Sequence, residues 1–241
     1  MFAYRQSAAG AASDPGSDNV TLNSVQAGSL IVVFFYSFYS GGSYGTVTCS
    51  DGTSLSECTP AVGSYEYIKA FYQYSSGGGN KTYTITGEEE SYWYGVCAFE
   101  FSYAGSCELD AQNQGYGDAT GSVATGNITT TGAGSELVIA CAVSYASYNL
   151  NTPRINNVAA DGSLDLAIGS GDGLAWYRIV SSAFTGNASC TDGDSGYWCV
   201  KVVSFKEAAG GASSTPLFRR RMNILLRLCL SAFNLIGRCF K

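Results

Sequence analysis

The residues able to do chemistry are few, and the first restriction is absolute: the chain contains no histidine. That excludes imidazole acid/base catalysis, Ser/His and Cys/His nucleophile systems, and imidazole metal ligation. The string Gly193-Asp194-Ser195-Gly196 has the form that carries a reactive serine, but with no base to take the proton it reads as a hairpin loop. Asp192 with Asp194, or Asp161 with Asp165, offers oxygen ligands of the kind calcium takes. Neither pair has the ligand spacing of an EF-hand, so both read as solvated turns. Glu88-Glu89-Glu90 are adjacent in a loop and cannot bracket a glycosidic bond, which needs two acids roughly 5 to 9 Å apart. They read as a charged guard on a sheet edge. No catalytic, cofactor-binding or metal-ligating residue is assigned, and no cofactor is expected.

Nine cysteines remain. Cys49/Cys58, Cys97/Cys107 and Cys190/Cys199 each span a polar stretch that can close as a strand-to-strand loop, which makes them candidate disulfides; the alternative is that all are reduced small hydrophobes. Their spacing fits no zinc ribbon. Cys141 sits in the apolar run LVIACAV and reads as core. Asn19, Asn80, Asn127 and Asn187 each open an N-x-S/T string and are candidate glycosylation sites. Tyr36, Tyr39, Tyr65, Tyr67, Tyr72, Tyr74, Tyr92 and Tyr94 exceed what a core requires, and they suit either cross-strand packing or stacking on sugars and partners.

These residues need a scaffold, and the composition describes one. Of 241 residues 46% are hydrophobic and 13% charged, with 30 glycines, 17 tyrosines and only 4 prolines. The low charge excludes a disordered chain or a polar helical bundle, and the rest is what many short strands joined by tight turns demand. Leu30 to Tyr36 and Leu137 to Val143 are continuously apolar and read as central strands, whereas Thr82 to Thr86 alternates like a half-exposed one. The start, MFAYRQSAAGAASDPGSD, has no apolar run of secretory type. The expectation is a leader already removed, or exit by another route such as lysis.

The chain also repeats itself. Ala27-Gly28-Ser29-Leu30-Ile31-Val32-Val33 recurs as Ala133-Gly134-Ser135-Glu136-Leu137-Val138-Ile139, and Ala70-Phe71-Tyr72 recurs as Ala175-Trp176-Tyr177. Tyr92-Trp93 and the strand after it correspond to Tyr197-Trp198 and theirs, so the spacing predicts that Trp93 matches Trp198 and Tyr72 matches Tyr177. Two copies of so long a unit indicate a duplicated antiparallel fold rather than a solenoid.

AYRQSAAG, AGSLIVVFFYS, AFYQYSSGGGNKTYTIT, WYGVCAFEFSYAG, NITTTGAGSELVIACAVSYAS and CVKVVSFKEA together resemble the Gly/Ser/Thr-rich, jelly-roll-like β-sandwich proteins of phage virions and bacterial secreted proteins, over residues 4–208. The resemblance implies a fold and carries no functional residue.

Charge divides the chain. Residues 1–217 hold seven Lys/Arg against all 19 Asp/Glu, a net −12, while residues 218–241 hold six basic residues and no acid. An acidic body makes nucleic acid an unsuitable partner. After a Gly/Ala/Ser linker at 208–217 comes a basic amphipathic segment, 218–241, in which Asn223, Arg227, Ser231, Asn234 and Arg238 fall on one helical stripe among Leu, Ile and Phe. Arg219, Arg220, Arg221, Arg227, Phe233 and Arg238 are its candidate assembly contacts. The expectation is thus an all-β antiparallel sandwich of jelly-roll type, residues 1–207, built from pseudo-repeats at about 27–101 and 133–206 and followed by a short C-terminal helix. Its expected task is non-enzymatic: a structural, self-assembling protein of a virion or other external surface, with further copies or other structural subunits as partners. A secreted glycan-binding or adhesion module is the alternative, with a glycan or a membrane surface as partner.

Overall fold

The computed structural model describes residues 1–10, 17–38, 46–64, 66–86, 93–118, 121–132, 134–145, 149–168, 171–194 and 196–207. The linker at 208–217, the basic segment at 218–241 and Glu88-Glu89-Glu90 lie outside them. Every regular element among the described residues is a strand. The first half supplies β1 (Ala3–Ala9), β2 (Ser17–Val25), β3 (Leu30–Phe38), β4 (Thr46–Cys49), β5 (Ser56–Glu57), β6 (Ala61–Val62), β7 (Glu66–Tyr74), β8 (Gly79–Thr86) and β9 (Trp93–Ser102). The second supplies β10 (Cys107–Gly117), β11 (Gly121–Ala124), β12 (Ile128–Thr129), β13 (Glu136–Tyr145), β14 (Leu150–Ile155), β15 (Val158–Ala159), β16 (Gly162–Ile168), β17 (Gly171–Val180), β18 (Thr185–Gly186), β19 (Ala188–Asp192) and β20 (Tyr197–Glu207).

These strands form two large antiparallel sheets, each backed by a small one. The first large sheet runs β1-β9-β3-β7-β5, with β6 also on β7, and the second runs β10-β20-β13-β17-β16. The small sheets are β2-β8-β4 and β11-β19-β14-β15, and β12 pairs with β18. Alternate side chains of one strand point to opposite faces, and both faces of each large sheet are covered. Ile31, Val33 and Phe35 of β3 meet Val20, Leu22, Tyr83 and Ile85 of the small sheet behind it. Leu30, Val32, Phe34, Tyr36 and Phe38 meet Leu137, Ile139, Cys141 and Val143 of β13 from the other half. Val138, Ala140 and Ala142 then pack on Val123, Ile155 and Ala188 of the second small sheet. The sheets of residues 1–207 therefore stack as four layers around three cores, which is why β3 and β13 read as unbroken apolar runs.

Strand for strand, the large sheets have the same order: β1, β9, β3, β7 in one and β10, β20, β13, β17 in the other. The register differs from the sequence alignment by one residue. Val32 pairs with Tyr72, and Ile139 with Tyr177, as the Tyr72/Tyr177 match requires. Leu30, however, stands opposite Phe101 and Leu137 opposite Phe205, so Leu30 corresponds to Leu137 and not to Glu136. Trp198 faces Ser144, while Trp93 faces Phe38; the position in the first half that faces the matching Ser37 is Tyr94. The Trp93/Trp198 match is corrected accordingly. A slip of one residue exchanges the two faces of a strand, so only the pairing fixes it.

Local chemistry sets the finer features. The β14–β15 turn is Asn156-Asn157, both at positive φ (51° and 61°), the requirement of a tight two-residue hairpin. Gly95 lies beside Tyr36 on the neighbouring strand, and a Cβ there would collide with the phenol ring. The loop containing Gly193-Asp194-Ser195-Gly196 is not a hairpin, since it joins β19 of a small sheet to β20 of a large one.

The packing predicts that Phe34→Ala, which empties the layer shared by the two halves, costs about 3–5 kcal/mol of unfolding free energy, read from urea denaturation by tyrosine and tryptophan fluorescence. A loss below about 1 kcal/mol would contradict a tightly packed shared core.

Candidate functional site

Built up from its residues, the acidic chemistry of Asp192, Asp172, Asp161 and Glu100 is taken up by backbone N–H groups and neighbouring side chains. Asp192 is 1% exposed and accepts hydrogen bonds from Ser144 Oγ at 2.9 Å and the Asp194 N–H at 3.1 Å. Asp172 accepts from the N–H groups of Leu150 (2.5 Å) and Gly173 (2.8 Å). Burial chiefly pushes its carboxyl above the usual range, with Asp165 and Asp192 adding to the effect. Asp161 accepts from the Ile179 N–H at 2.7 Å. These carboxylates fasten strand ends, and no cluster among the described residues has the makings of a metal site. Glu100, 1% exposed on β9, is fully occupied as well: Gln6 Nε2 (2.6 Å), the Gln26 N–H (2.8 Å) and Ser29 Oγ (2.7 Å) donate to it, tying β1 and the β2–β3 turn to the large sheet.

The cysteines depart from the expected pairing. Cys49, Cys58, Cys97, Cys107, Cys190 and Cys199 are all free, and so is Cys141. Layering explains it. Cys49 faces the core behind the first large sheet and Cys58 the core in front of it; Cys190 and Cys199 are divided in the same way by the second sheet. Cys97 and Cys107 share one core, but Cys97 sits mid-strand opposite Phe34 while Cys107 opens β10. The Cys141 thiol instead lies against Cys97 across the shared layer.

Aromatic residues collect at both ends of the central strands. At the Phe38 end, Tyr145 (41% exposed) and Tyr197 (37%) are cross-strand partners, with the Phe38 ring 5.9 Å from that of Tyr145. At the Leu30 end, Tyr72 meets Phe205 at 5.2 Å and Tyr74 edge-on, and Tyr74 reaches Tyr103 at 6.2 Å. Tyr4 stacks on Tyr177 from the other half at 5.0 Å. Of the tyrosines singled out in the sequence, Tyr36, Tyr67 and Tyr94 are core residues, Tyr72 is half-buried, Tyr74 is exposed, and Tyr39, Tyr65 and Tyr92 lie outside the described residues. The exposed Tyr145 and Tyr197 were not among them. Asn19, Asn80 and Asn127 are exposed and Asn187 is half-buried. Arg219, Arg220, Arg221, Arg227, Phe233 and Arg238 lie outside the described residues.

One group went unnoticed in the sequence. Lys201 of β20 is 1% exposed and points into the layer between the large sheets, its Nζ donating to Gln112 Oε1 of β10 at 2.9 Å. The same oxygen accepts the Thr59 N–H of the first half at 3.0 Å. The available signal was a lysine at an inward position of the apolar run Val200-Lys201-Val202-Val203. No family model, curated protein or solved structure matches this chain.

Two outcomes follow. All seven described thiols are buried, and burial pushes Cys58 up to about 11 and Cys107 to about 12 and raises Cys141, Cys190 and Cys199 too; the seven should therefore be shielded from iodoacetamide in the folded protein at pH 8 and react together in denaturant. Rapid native labelling would refute it. Asp51 is held below the ordinary carboxylate value of 3.8, first by the Lys81 ammonium and then by Cys49 and Thr53. A depressed acid contributes stability that is present above its unfolded value and lost as pH falls through the folded one. Asp51→Asn should therefore lower the melting temperature at pH 7, with the gap to wild type narrowing below pH 3.8. A gap independent of pH would show that the ion pair is not its source.

Proposed function

We propose that this chain is a non-enzymatic structural protein of an external surface, of the kind that builds or decorates a virion, and that it works by assembling with copies of itself or other structural subunits. The observation that carries the reading is the charge division, −12 over residues 1–217 against six basic residues and no acid in residues 218–241. A basic amphipathic segment after an acidic body suits docking on the next copy, because the arginines meet carboxylates while Leu, Ile and Phe leave water. The layered body supports the same role, since the buried carboxylates of Glu100 and Asp192 are held by backbone N–H groups and neighbouring side chains that fasten the strands. As part of this proposal each half is a jelly roll and the two arose by duplication. The strand orders support that: with the two-residue strands β5 and β6 set aside, the first half runs β1-β9-β3-β7 in one sheet and β2-β8-β4 in the other, so that strands consecutive in the chain alternate between the sheets, and the second large sheet repeats the order of the first. The C-terminal helix belongs to the proposal too.

A second reading, a secreted glycan-binding module, draws on the exposed, adjacent Tyr145 and Tyr197, whose rings offer the flat apolar faces sugars stack on. One experiment separates the two. Truncation after Thr215 should leave the body folded, because the large sheets close at Glu207, and should abolish the ordered oligomers that the full chain forms in light scattering and electron microscopy. Equal assembly by the truncated chain would overturn the docking role. Saturable glycan-array binding by a monomeric full chain, lost in Tyr145→Ala and Tyr197→Ala, would favour the second reading.

A further inference from the structure

Lys201 poses a physical problem that its neighbours do not solve. Its side chain lies between two large sheets, beside the inward-facing Cys199 and Val203, and among the described residues no carboxylate stands within ion-pair distance of it. The thiols near it, Cys58 and Cys199, are themselves kept neutral by burial and supply no counter-charge. An ammonium taken out of water without a partner is strongly disfavoured, so the free amine is the form this site selects, and burial accordingly draws the lysine below its ordinary value. A neutral lysine amine is a nucleophile.

What it faces is an electrophile of the matching kind. Gln112 lies diagonally across the β10–β20 ladder, one strand-repeat from Gln114, which is the direct partner of Lys201. The carboxamide oxygen 2.9 Å from the lysine nitrogen also receives the Thr59 N–H at 3.0 Å, so the carbonyl is polarised by a fixed backbone donor from the other half, the arrangement that stabilises a developing oxyanion. Gln112 is half-buried and Thr59 exposed, so a small leaving group has a route to water.

We propose that Lys201 and Gln112 form an intramolecular isopeptide crosslink. The Nζ–Cδ bond forms and the Cδ–Nε2 bond breaks; one Nζ proton passes to the departing nitrogen, which leaves as ammonia. No electrons change hands and no co-reactant is consumed. The product is a neutral secondary amide, which removes the buried amine and staples edge strand β10 to β20, the strand beside it. This inference is independent of the assembly role and stands or falls separately from it.

Intact-mass spectrometry of the full chain, denatured and reduced, is the test. The expected mass is that of the sequence less one ammonia, with a branched tryptic peptide joining the segments that contain Gln112 and Lys201. Lys201→Met should restore the full mass, and Gln112→Glu should give a link that loses water instead. A wild-type chain at full mass, with Gln112 and Lys201 recovered in separate linear peptides, overturns the proposal. Ammonia loss traced to an asparagine succinimide, with no branched peptide, overturns it equally.

Discussion

A strand covered on both faces has no outlet for polar side chains, and β3 and β13 each occupy that position at the middle of a large sheet. Everything else is arranged around the layer where these two strands face each other. Each needs a small sheet behind it to cover Ile31, Val33 and Phe35 or Val138, Ala140 and Ala142, and each needs the other half in front of it. At roughly 25 cal/mol per Å² of apolar surface, the shared layer is worth far more than any single polar contact in the molecule. The polar groups that do enter it are correspondingly specific: Lys201, Gln112 and the Thr59 backbone meet at one point where both halves contribute.

How much of this the sequence revealed depended on what each element is buried by. Strands β3, β8 and β13 were legible because hydrophobic runs or strict alternation follow directly from two-faced or one-faced burial. Strands β1 and β10 were missed, and the reason is physical: AYRQSAA and CELDAQNQGYG are edge strands, paired on one side and half-exposed, so neither face imposes a pattern. Strand β19 was folded into an imagined hairpin because adjacency in sequence suggested adjacency in the sheet, whereas its chain crosses between layers. The cysteine pairs failed in the same way, since a loop short enough to close a disulfide was instead long enough to pass from one face of a sheet to the other.

The candidate sites were less legible than the fold. Tyr36, Tyr67 and Tyr94 belong to runs that pack inward, while Tyr145 and Tyr197 sit at strand ends, where composition says nothing about exposure. Lys201 carries a signal in principle, being a charge in an apolar strand, but its meaning depends on Gln112, 89 positions away in the chain. Long-range pairing of that kind is what a single sequence hides best.

The position of β9 and β20 has a consequence for how the protein is made. Each is the last strand of its half, yet each lies inside its sheet, between β1 and β3 or between β10 and β13. Neither large sheet is complete until its final strand has left the ribosome. The first half finishes at Ser102 and must then wait, with Leu30, Val32, Phe34 and Phe101 facing outward, while the second is synthesised. During that interval an identical nascent chain offers a surface as complementary as the proper one, so neighbouring chains on one messenger compete with the chain's own second half for the same face. Fidelity of this fold is therefore partly a matter of timing, set by how quickly translation delivers β20.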